Sequence, residues 1–226
     1  MKIVNATAKC TEFIIHHKIN EFISEETLEN AKLIHIKAKE YLIFQDSEIS
    51  HLYFLVGGKL QVERYETDGN KVIFSFVNAF SIIGDLELFQ SHLENNRVYN
   101  TIQAVTDADL LALPLSIIRK KEIHSPLFLQ FICQHLSKKL YNASQLHSSA
   151  SYSVEYKLRR YLAFVEKQNG GSFKLENRDS LAAMLGVSVR QLNRTLSKLV
   201  SDKLIEQKGK QIKILNTEQL LTSCQN

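Results

Sequence analysis

The chain has 226 residues, 44% of them hydrophobic and 23% charged, which is typical of globular proteins with a sizeable core. We expect no signal peptide and no membrane span, because the N-terminus lacks a basic and apolar leader and no apolar run is long enough to cross a bilayer. The cysteines Cys10, Cys133 and Cys224 are too far apart in sequence for a disulfide framework or a zinc knuckle, so a reducing cytoplasm is the expected compartment.

The net charge of +4 is unevenly distributed along the chain. Residues 1–152 contain 15 Lys and Arg against 17 Asp and Glu, whereas residues 153–226 contain 13 against 7. The C-terminal third is therefore basic, which favours contact of that part alone with a polyanion. A basic surface that is merely solvated is the alternative, and charge by itself does not separate the two.

The first part of the chain, up to about Lys39, has the apolar spacing that is typical of amphipathic helices. We therefore predict that this part is helical. The positions expected to face a core are Phe13, Ile19, Phe22, Ile23 and Leu28.

From Tyr41 the period of the apolar residues changes, and short runs of β-branched and aromatic residues alternate with turn signals. The turn signals are Gly57-Gly58 and Asp68-Gly69-Asn70. In KLQVERY, Leu60 and Val62 alternate with Gln61 and Glu63, which predicts a strand with one face in water. Further strands are predicted at YNTIQAV and DLLALP, and so many short strands indicate a sandwich or a jelly-roll barrel.

A helical pattern of about 25 residues begins at Ser125-Pro126, with proline in the first turn, where its missing N–H costs little. Apolar residues recur along it at 3,4 spacing, interrupted at Lys139: Leu129, Ile132, Leu136, Ala143, Leu146 and Ala150. A helix of this length usually needs a partner along its stripe. We therefore predict a two-fold homodimer with Leu129, Ile132, Leu136, Ala143 and Leu146 at the interface. The alternative is a helix that is buried along the barrel of its own chain.

A second domain begins with another amphipathic helix, which Gly170-Gly171 is expected to end. Two shorter helices then meet at a glycine in NRDSLAAMLGVSVRQLNRTLSKLV. Asn177 can cap the first of them, and Gly186 permits the sharp turn. Ser188 and Gln191 have the spacing of a capping box, so the second helix has its own start signal.

This second helix has two distinct faces. Its predicted inward positions are Leu192, Leu196, Leu199 and Val200, and its other face carries Arg190, Asn193, Arg194, Ser197 and Lys198. Arginine can bind guanine through two hydrogen bonds and asparagine can bind adenine, so such a face fits the DNA major groove. The segment Lys208-Gly209-Lys210 follows as the basic tip of a hairpin, a wing that can contact phosphates.

We therefore predict that this domain binds double-stranded DNA, and that a dimer presents two such helices about one DNA turn apart. The predicted contact residues are Ser188, Val189, Arg190, Gln191, Asn193, Arg194, Ser197, Lys198, Lys208 and Lys210. The alternative is a packing module whose charged face is solvated. Single-stranded RNA is not favoured, because no aromatic platform stands out in this region.

Four parts of the chain together carry a family resemblance: HLYFLVGGKLQVERYETDGNKVIFSFV, SIIGDLELF, the long helix and LAAMLGVSVRQLNRTLSKLVSDKLIEQKGKQI. Through them nearly the whole chain resembles the bacterial cyclic-AMP receptor / fumarate–nitrate regulator (CRP/FNR) family, and within it the YeiL-like branch. It implies an α+β fold: a cyclic-nucleotide-binding-type β jelly-roll barrel (1–124), a long dimerisation helix (125–152) and a winged helix-turn-helix domain (153–226). It also implies a homodimeric transcription factor in which Arg194 reads a base, with RNA polymerase as a candidate partner.

The effector pocket departs from the family's pattern. Members that bind cyclic AMP carry Gly-Glu and then an Arg-Ser/Thr-Ala run whose arginine pairs with the phosphate. Gly84-Asp85 preserves the first half, but Val98 and Tyr99 stand where the arginine and the hydroxyl residue belong. The Thr-Ser pair that meets the adenine base reads Ala143-Ser144 here. The candidate pocket residues are Gly84, Asp85, Arg97, Tyr99 and Ser144, with Arg97 able to replace the arginine only if the loop carries an extra residue.

An anionic phosphate without its arginine loses much of its binding energy, so we do not expect cyclic AMP to be the effector. Two alternatives stay open: the barrel binds another small molecule, or it is filled and takes no ligand. No metal or cofactor is predicted, because Cys10 lacks the neighbouring cysteines that an iron–sulfur cluster needs.

We predict that the protein is not an enzyme, since it carries none of the phosphate-loop, serine-hydrolase or zinc-protease motifs. A different function class stays open: a nucleotide-sensing module that acts through a protein partner. Binding to DNA through phosphates weakens steeply as salt rises, whereas an apolar protein interface does not.

Overall fold

The computed structural model describes residues 2–4, 7–67, 69, 71–89, 97–147 and 152–222. The chain separates into two compact units, Met1–Leu140 and Tyr141–Asn226, and the boundary falls inside helix α5 (Pro126–His147). Four residues of the sequence predictions lie outside the described residues, namely Asp68, Asn70, Ala150 and Cys224. The side chain of Leu146 also lies outside them.

The first unit is a sandwich of two antiparallel sheets. Its strands are β1 (Lys2–Val4), β2 (Lys32–Ile36), β3 (Tyr41–Ile43), β4 (His51–Gly57), β5 (Lys59–Tyr65), β6 (Lys71–Asn78), β7 (Ser81–Ile83), β8 (Thr101–Ala104) and β9 (Ala108–Pro114). One sheet has the order β1-β2-β9-β4-β7 and the other β3-β8-β5-β6. Its helices are α1 (Thr7–His16), α2 (Glu25–Leu28), α3 (Asp85–Leu88), α4 (Leu115–Lys121) and the first part of α5.

The inner faces of the two sheets share one hydrophobic core. Leu55 on β4 and Leu110 on β9 belong to one sheet, whereas Leu60 on β5 and Ile102 on β8 belong to the other, and all four are buried in the same cluster. Burial of each such side chain contributes about 1.5–3 kcal/mol. The predicted sandwich is therefore confirmed.

Among the described residues of the N-terminal part, the helical segments are α1, a 3-10 turn at Ile19–Glu21 and α2, whereas Lys2–Val4 and Lys32–Ile36 are strands. The prediction of helix up to about Lys39 is therefore wrong at both ends. β1 and β2 pair with each other, and β2 also pairs with β9 through Ile34 and Leu110. Because Leu33, Ile34 and Ile36 are all buried inside the sheet, β2 shows no alternation that would mark it as a strand. The predicted core positions Ile19 and Ile23 are buried as expected, and Phe13, Phe22 and Leu28 pack against the same core.

Strand β5 does not have the wet face that its alternating sequence predicts. Gln61 and Glu63 are buried, and Glu63 is 0% exposed. Gln61 donates a hydrogen bond to the Glu63 carboxylate, and Lys71 Nζ forms an ion pair with Glu63 Oε2 at 2.5 Å. Polar residues can occupy this buried face because the carboxylate and the amide satisfy each other and a cation covers them.

Helix α5 packs one of its faces on its own barrel. Ile132 is 0% exposed and lies with Phe128 in the core of the first unit, while Leu136 is half-buried against that core. The structure therefore corrects the prediction for Ile132, because the alternative of a helix buried along its own barrel holds at this position. Leu129 is half-buried and Ala143 is exposed, so these two positions do not share the barrel-facing side of Ile132.

The second unit contains α6 (Val154–Asn169), β10 (Ser172–Lys174), α7 (Arg178–Leu185), α8 (Val189–Ser201), β11 (Ile205–Lys208), β12 (Gln211–Ile214) and α9 (Thr217–Thr222). Its sheet has the order β10-β12-β11, and its core includes Leu158, Leu181, Leu192 and Ile212. Gly170 follows the last residue of α6, as predicted. The combination of a β-sandwich, a long helix and this small unit confirms the α+β fold. No helix in the described ranges combines the length and the apolarity that a membrane span requires.

Candidate nucleic-acid interface and effector pocket

The turn between α7 and α8 is built from local hydrogen bonds. The Asn177 side chain accepts from the backbone N–H of Asp179 at 2.9 Å, and Gly186 ends α7 with a φ of 63°. Ser188 Oγ accepts from the backbone N–H of Gln191 at 3.2 Å, while Gln191 Oε1 accepts from the Ser188 N–H at 2.9 Å. This reciprocal pair is the predicted capping box, and it fixes where α8 starts.

The two faces of α8 differ as predicted, with one exception. Leu192, Leu196 and Leu199 are buried in the core of the second unit. Val200 is 39% exposed and does not face inward, because it lies a full 100° from Leu199 around the helix. Packing of the three leucines fixes the rotation of α8, and with it the direction of the opposite, charged face.

The outer face of α8 carries exposed cationic and amide side chains. Arg190, Asn193, Arg194 and Ser197 are all exposed, and α8 contains no acidic residue. Within the described part of the chain neither Arg190 nor Arg194 has an ion-pair partner. Two guanidinium groups one helical turn apart are therefore available to an external ligand.

Three other predicted contact residues have contacts within the protein. The side chains of Ser188 and Gln191 form the capping box, and Val189 is half-buried against the core. These residues hold the start of α8, so their side chains contribute less to an external contact than the prediction assumes.

Lys198 is also engaged, although it is 57% exposed. Its Nζ lies 2.6 Å from Oε2 of Glu155 on α6. This hydrogen bond is the main reason why the pKa of Glu155 is lowered, and the carboxylate is ionised at neutral pH.

The predicted wing is present as the antiparallel pair β11–β12. Lys208 pairs with Gln211 in the ladder, and Gly209 turns the chain with a φ of 60°. Lys208 and Lys210 are exposed at this tip. Ile205 and Ile212 are buried beneath it, so the apolar side of the hairpin anchors a cationic tip.

In the first unit, Gly84 and Asp85 form the N-terminal end of α3. Gly84 has a φ of 92°, and a Cβ at this position would lie 2.7 Å from Ile49 Cδ1. Glycine is thus required by the backbone and by packing, whether or not a ligand binds. Asp85 is buried directly after it.

The Asp85 carboxylate is paired with a cation from the long helix. Lys139 Nζ lies 2.8 Å from each Asp85 oxygen and donates to the carbonyl of Ile82 at 2.9 Å. His135 Nε2 is 3.7 Å from Asp85 Oδ2, and no hydrogen-bond partner for it is found among the described residues. Burial, followed by the positive charge of Lys139, lowers the pKa of His135 to about 4. The imidazole is therefore neutral at pH 7, so that Lys139 is the cation that neutralises Asp85 within the described part of the chain.

The remainder of α3 is held by α4. Arg119 Nη2 donates to the carbonyl of Glu87 at 2.7 Å, and its Nε donates to that of Leu88 at 3.4 Å. The Glu87 carboxylate accepts from the backbone N–H of Tyr99 at 3.3 Å, and burial raises the pKa of this carboxyl. The turn is thus fixed by contacts with its own unit.

The candidate pocket residues are only partly brought together. Asp85 and Tyr99 lie at the same turn through Glu87, but the Tyr99 ring is exposed. Arg97 is exposed and donates to the carbonyl of Asp46 at 3.3 Å, while Val98 is buried in the core. Ser144 belongs to the second unit.

Two ion pairs next to the candidate sites were not predicted from the sequence, those of Lys139 with Asp85 and of Glu155 with Lys198. Lys139 interrupts an otherwise apolar stripe, and a lysine at such a position is a signal for a buried carboxylate partner. Glu155 is an acidic residue in the first turn of α6, and its partner lies 43 residues away in sequence. No local pattern identifies that pair.

Comparison with known protein domains gives two matches in the order of the two units. The profile of the cyclic nucleotide-binding domain matches residues 33–121, and that of the Crp-like helix-turn-helix domain matches residues 156–222. The chain belongs to the CRP/FNR family of transcription regulators. A regulator of this family carries its DNA-binding domain in the helix-turn-helix unit, which here contains α7 and α8.

Relatives in this family align over most of their length. The regulatory protein YeiL of Escherichia coli O157:H7 is 28% identical over 84% of this chain and 84% of its own. The cAMP-activated global transcriptional regulator CRP of Haemophilus influenzae is 24% identical over 77% of this chain and 80% of its own. Among solved structures, FixK2 from Bradyrhizobium japonicum superposes with a TM-score of 0.74 at 17% identity, covering 85% of this chain and 96% of FixK2. This CRP/FNR family fold is therefore shared despite low identity.

Proposed function

We propose that this CRP/FNR family regulator is a homodimer that reads a specific DNA sequence through α8. The observation that carries the proposal is the exposed, acid-free face of α8, on which Arg190, Asn193 and Arg194 have no competing ion pair among the described residues. An α-helix fits the major groove, and these side chains can pair with guanine and adenine edges. The capping box and three buried leucines fix the start and the rotation of α8, so this face of the helix has its orientation before DNA arrives.

The wing supplies the sequence-independent part of the contact. Lys208 and Lys210 stand at an exposed tip, where Lys208 pairs with the uncharged Gln211, while Glu206 further along the ladder pairs with Lys213. The two lysines at the tip are therefore suited to phosphates. RNA polymerase remains a candidate protein partner, as the family's function implies.

Replacement of Lys208 by alanine should weaken binding to specific and random duplexes by a similar factor, because a phosphate contact carries no sequence information. The slope of log K against log salt should become shallower by about 0.9 for each contact that is lost. Fluorescence anisotropy at several salt concentrations measures both, with the exposed Lys167 of α6 replaced by alanine as the matched control.

Salt dependence also separates DNA binding from the competing function. If the wild-type protein binds duplex DNA without a steep loss of affinity at higher salt, phosphate contacts are not made and the alternative of a module that acts through a protein partner is favoured.

We also propose that the dimer contact runs along α5 beside its barrel-facing side. Leu129, Leu136, Leu140 and Ala143 recur at spacings of seven, four and three residues, as in a coiled-coil stripe. Leu140 is 73% exposed in the single chain. A surface leucine at the centre of such a stripe is stabilised when a two-fold partner covers it.

The barrel, we propose, does not use cyclic AMP as its effector: it senses another molecule or works without one. Asp85 is already neutralised by Lys139, and the position expected to supply the phosphate-pairing arginine holds the buried Val98. A phosphate in this place would therefore meet a carboxylate and an apolar residue instead of a free cation.

Calorimetric titration of the purified protein with cyclic AMP should accordingly give no binding at micromolar concentrations. Heat of binding with a micromolar dissociation constant would contradict this part of the proposal. Mass spectrometry of the same preparation under native conditions would report any other small molecule that is retained.

A further inference from the structure

Glu155 connects the helix that starts the second unit with the end of the proposed reading helix. Its Oε2 accepts a hydrogen bond from Lys198 Nζ on α8 at 2.6 Å. Its Oε1 accepts from Arg159 Nη2 at 2.6 Å and from Arg159 Nε at 3.0 Å. Both carboxylate oxygens are therefore engaged with cations.

Lys198, Glu155 and Arg159 thus form a cluster, and its Arg159 end is buried. Arg159 is 5% exposed, and its Nη1 donates to the carbonyl of Gln219 on α9 at 3.3 Å. The Glu155 carboxylate is mostly covered as well, with 26% of its side chain exposed. Because Arg159 holds Glu155 in one position, Glu155 can in turn hold Lys198 in one position.

Lys198 lies one helical turn beyond Arg194, at the i+4 position on the same side of α8. A lysine at this place is well suited to a DNA phosphate next to the bases that Arg194 contacts. Its ammonium, however, is directed to a carboxylate of its own chain.

We propose that Glu155 is a positioning and specificity-determining residue, which withholds the Lys198 ammonium from DNA phosphates. This inference rests on the proposed function of α8. In a complex with random DNA, no base contact fixes the register of α8, so a Lys198 released from Glu155 can bind whichever phosphate is nearest. In the complex with the specific site, Arg190 and Arg194 fix the register, so a released Lys198 adds less affinity there. Glu155 therefore lowers sequence-independent affinity more than specific affinity, and the ratio between the two rises.

Four variants of the full chain test the inference: Glu155→Gln, Lys198→Ala, the double variant, and Glu166→Gln as a matched control. Glu166 is on the same helix, but its carboxylate accepts from Thr217 Oγ1 at 2.8 Å on α9. Each variant is titrated with a random-sequence duplex by fluorescence anisotropy over a range of salt concentrations. A duplex carrying the specific site, identified beforehand by selection of bound fragments from genomic DNA, is titrated in parallel.

The Glu155→Gln variant should bind random DNA about fivefold more tightly, with a salt slope that is steeper by about 0.9. Glu166→Gln should leave the slope unchanged. Lys198→Ala alone should also leave the slope unchanged, because the ammonium that it removes is already paired with Glu155. The double variant should lack the gain in affinity for random DNA that Glu155→Gln shows. The specific site should gain less than random DNA.

A loss of about 0.9 from the slope in Lys198→Ala alone would overturn the inference, since Lys198 would then contact phosphate already in the wild type. Equal behaviour of Glu155→Gln and Glu166→Gln would overturn it too. If Glu155→Gln unfolds, the Lys198→Ala measurement decides by itself. Wild-type binding that does not depend on salt would contradict the proposed function instead, and the inference with it.

Discussion

Replacing both Arg190 and Arg194 by alanine should lower affinity for the specific DNA site by about 30-fold or more. A bidentate arginine–guanine contact provides about 1–3 kcal/mol of discrimination, so two lost contacts correspond to roughly 2–6 kcal/mol. The single Arg194→Ala variant should lose about 1–3 kcal/mol of binding free energy on the specific site and should tolerate other bases at the position that Arg194 reads. Anisotropy titrations with the selected site and with single-base variants of it measure both effects.

The fold should not change in this double variant, because both side chains are exposed and have no ion pair within the described residues. A control that replaces Lys167 and Lys174, two exposed lysines of the same unit outside α8 and the wing tip, removes the same charge. It should retain the preference for the specific site. Equal affinities of the wild type and the double-arginine variant would place the reading surface elsewhere.

The second large effect is expected in the barrel. Ile132→Ala should lower the free energy of unfolding of the first unit by about 2–5 kcal/mol, because Ile132 is 0% exposed and its truncation leaves a cavity in a core that packs tightly. Urea denaturation followed by fluorescence or circular dichroism measures the loss. The variant should still sediment as a dimer at concentrations well above the dissociation constant.

Leu140→Asp should have the opposite effect to Ile132→Ala: it should abolish the dimer and leave the fold of the single chain intact. At 73% exposure the single chain accommodates the charge, but two-fold pairing would bury two carboxylates against each other. We expect a monomer in analytical ultracentrifugation, while Gln134→Asp, on an exposed part of α5 away from this stripe, leaves the dimer intact. A dimer that Ile132→Ala abolishes and Leu140→Asp preserves would contradict our assignment of the two faces.

The DNA-binding unit could be predicted in detail because its signals are local. The Asn177 cap, the Gly186 turn and the Ser188–Gln191 capping box each involve residues within a few positions of one another. The hairpin around Gly209 is equally local. Short-range hydrogen bonds and turn chemistry are encoded in adjacent residues, so one sequence is sufficient to identify them.

The parts that the sequence did not predict depend on contacts between distant segments. β2 has the composition of a buried strand but becomes one by pairing with β9, more than 70 residues later. Ile132 and Leu140 are both apolar residues of α5, but Ile132 is buried in the core of the barrel and Leu140 is exposed. Only the packing on the barrel distinguishes these two positions. The Lys139–Asp85 pair joins residues that are 54 positions apart. Such pairs follow from tertiary packing, which overrides local periodicity.

The central claim is that two copies of α8 read DNA as a two-fold pair. Selection of bound fragments from genomic DNA by the purified protein, followed by sequencing, tests it most directly. We predict an inverted repeat whose half-sites have centres about 10 base pairs apart, and its loss when Arg190 and Arg194 are both replaced. Fragments without a shared motif, or a motif that the double variant enriches equally well, would contradict the account.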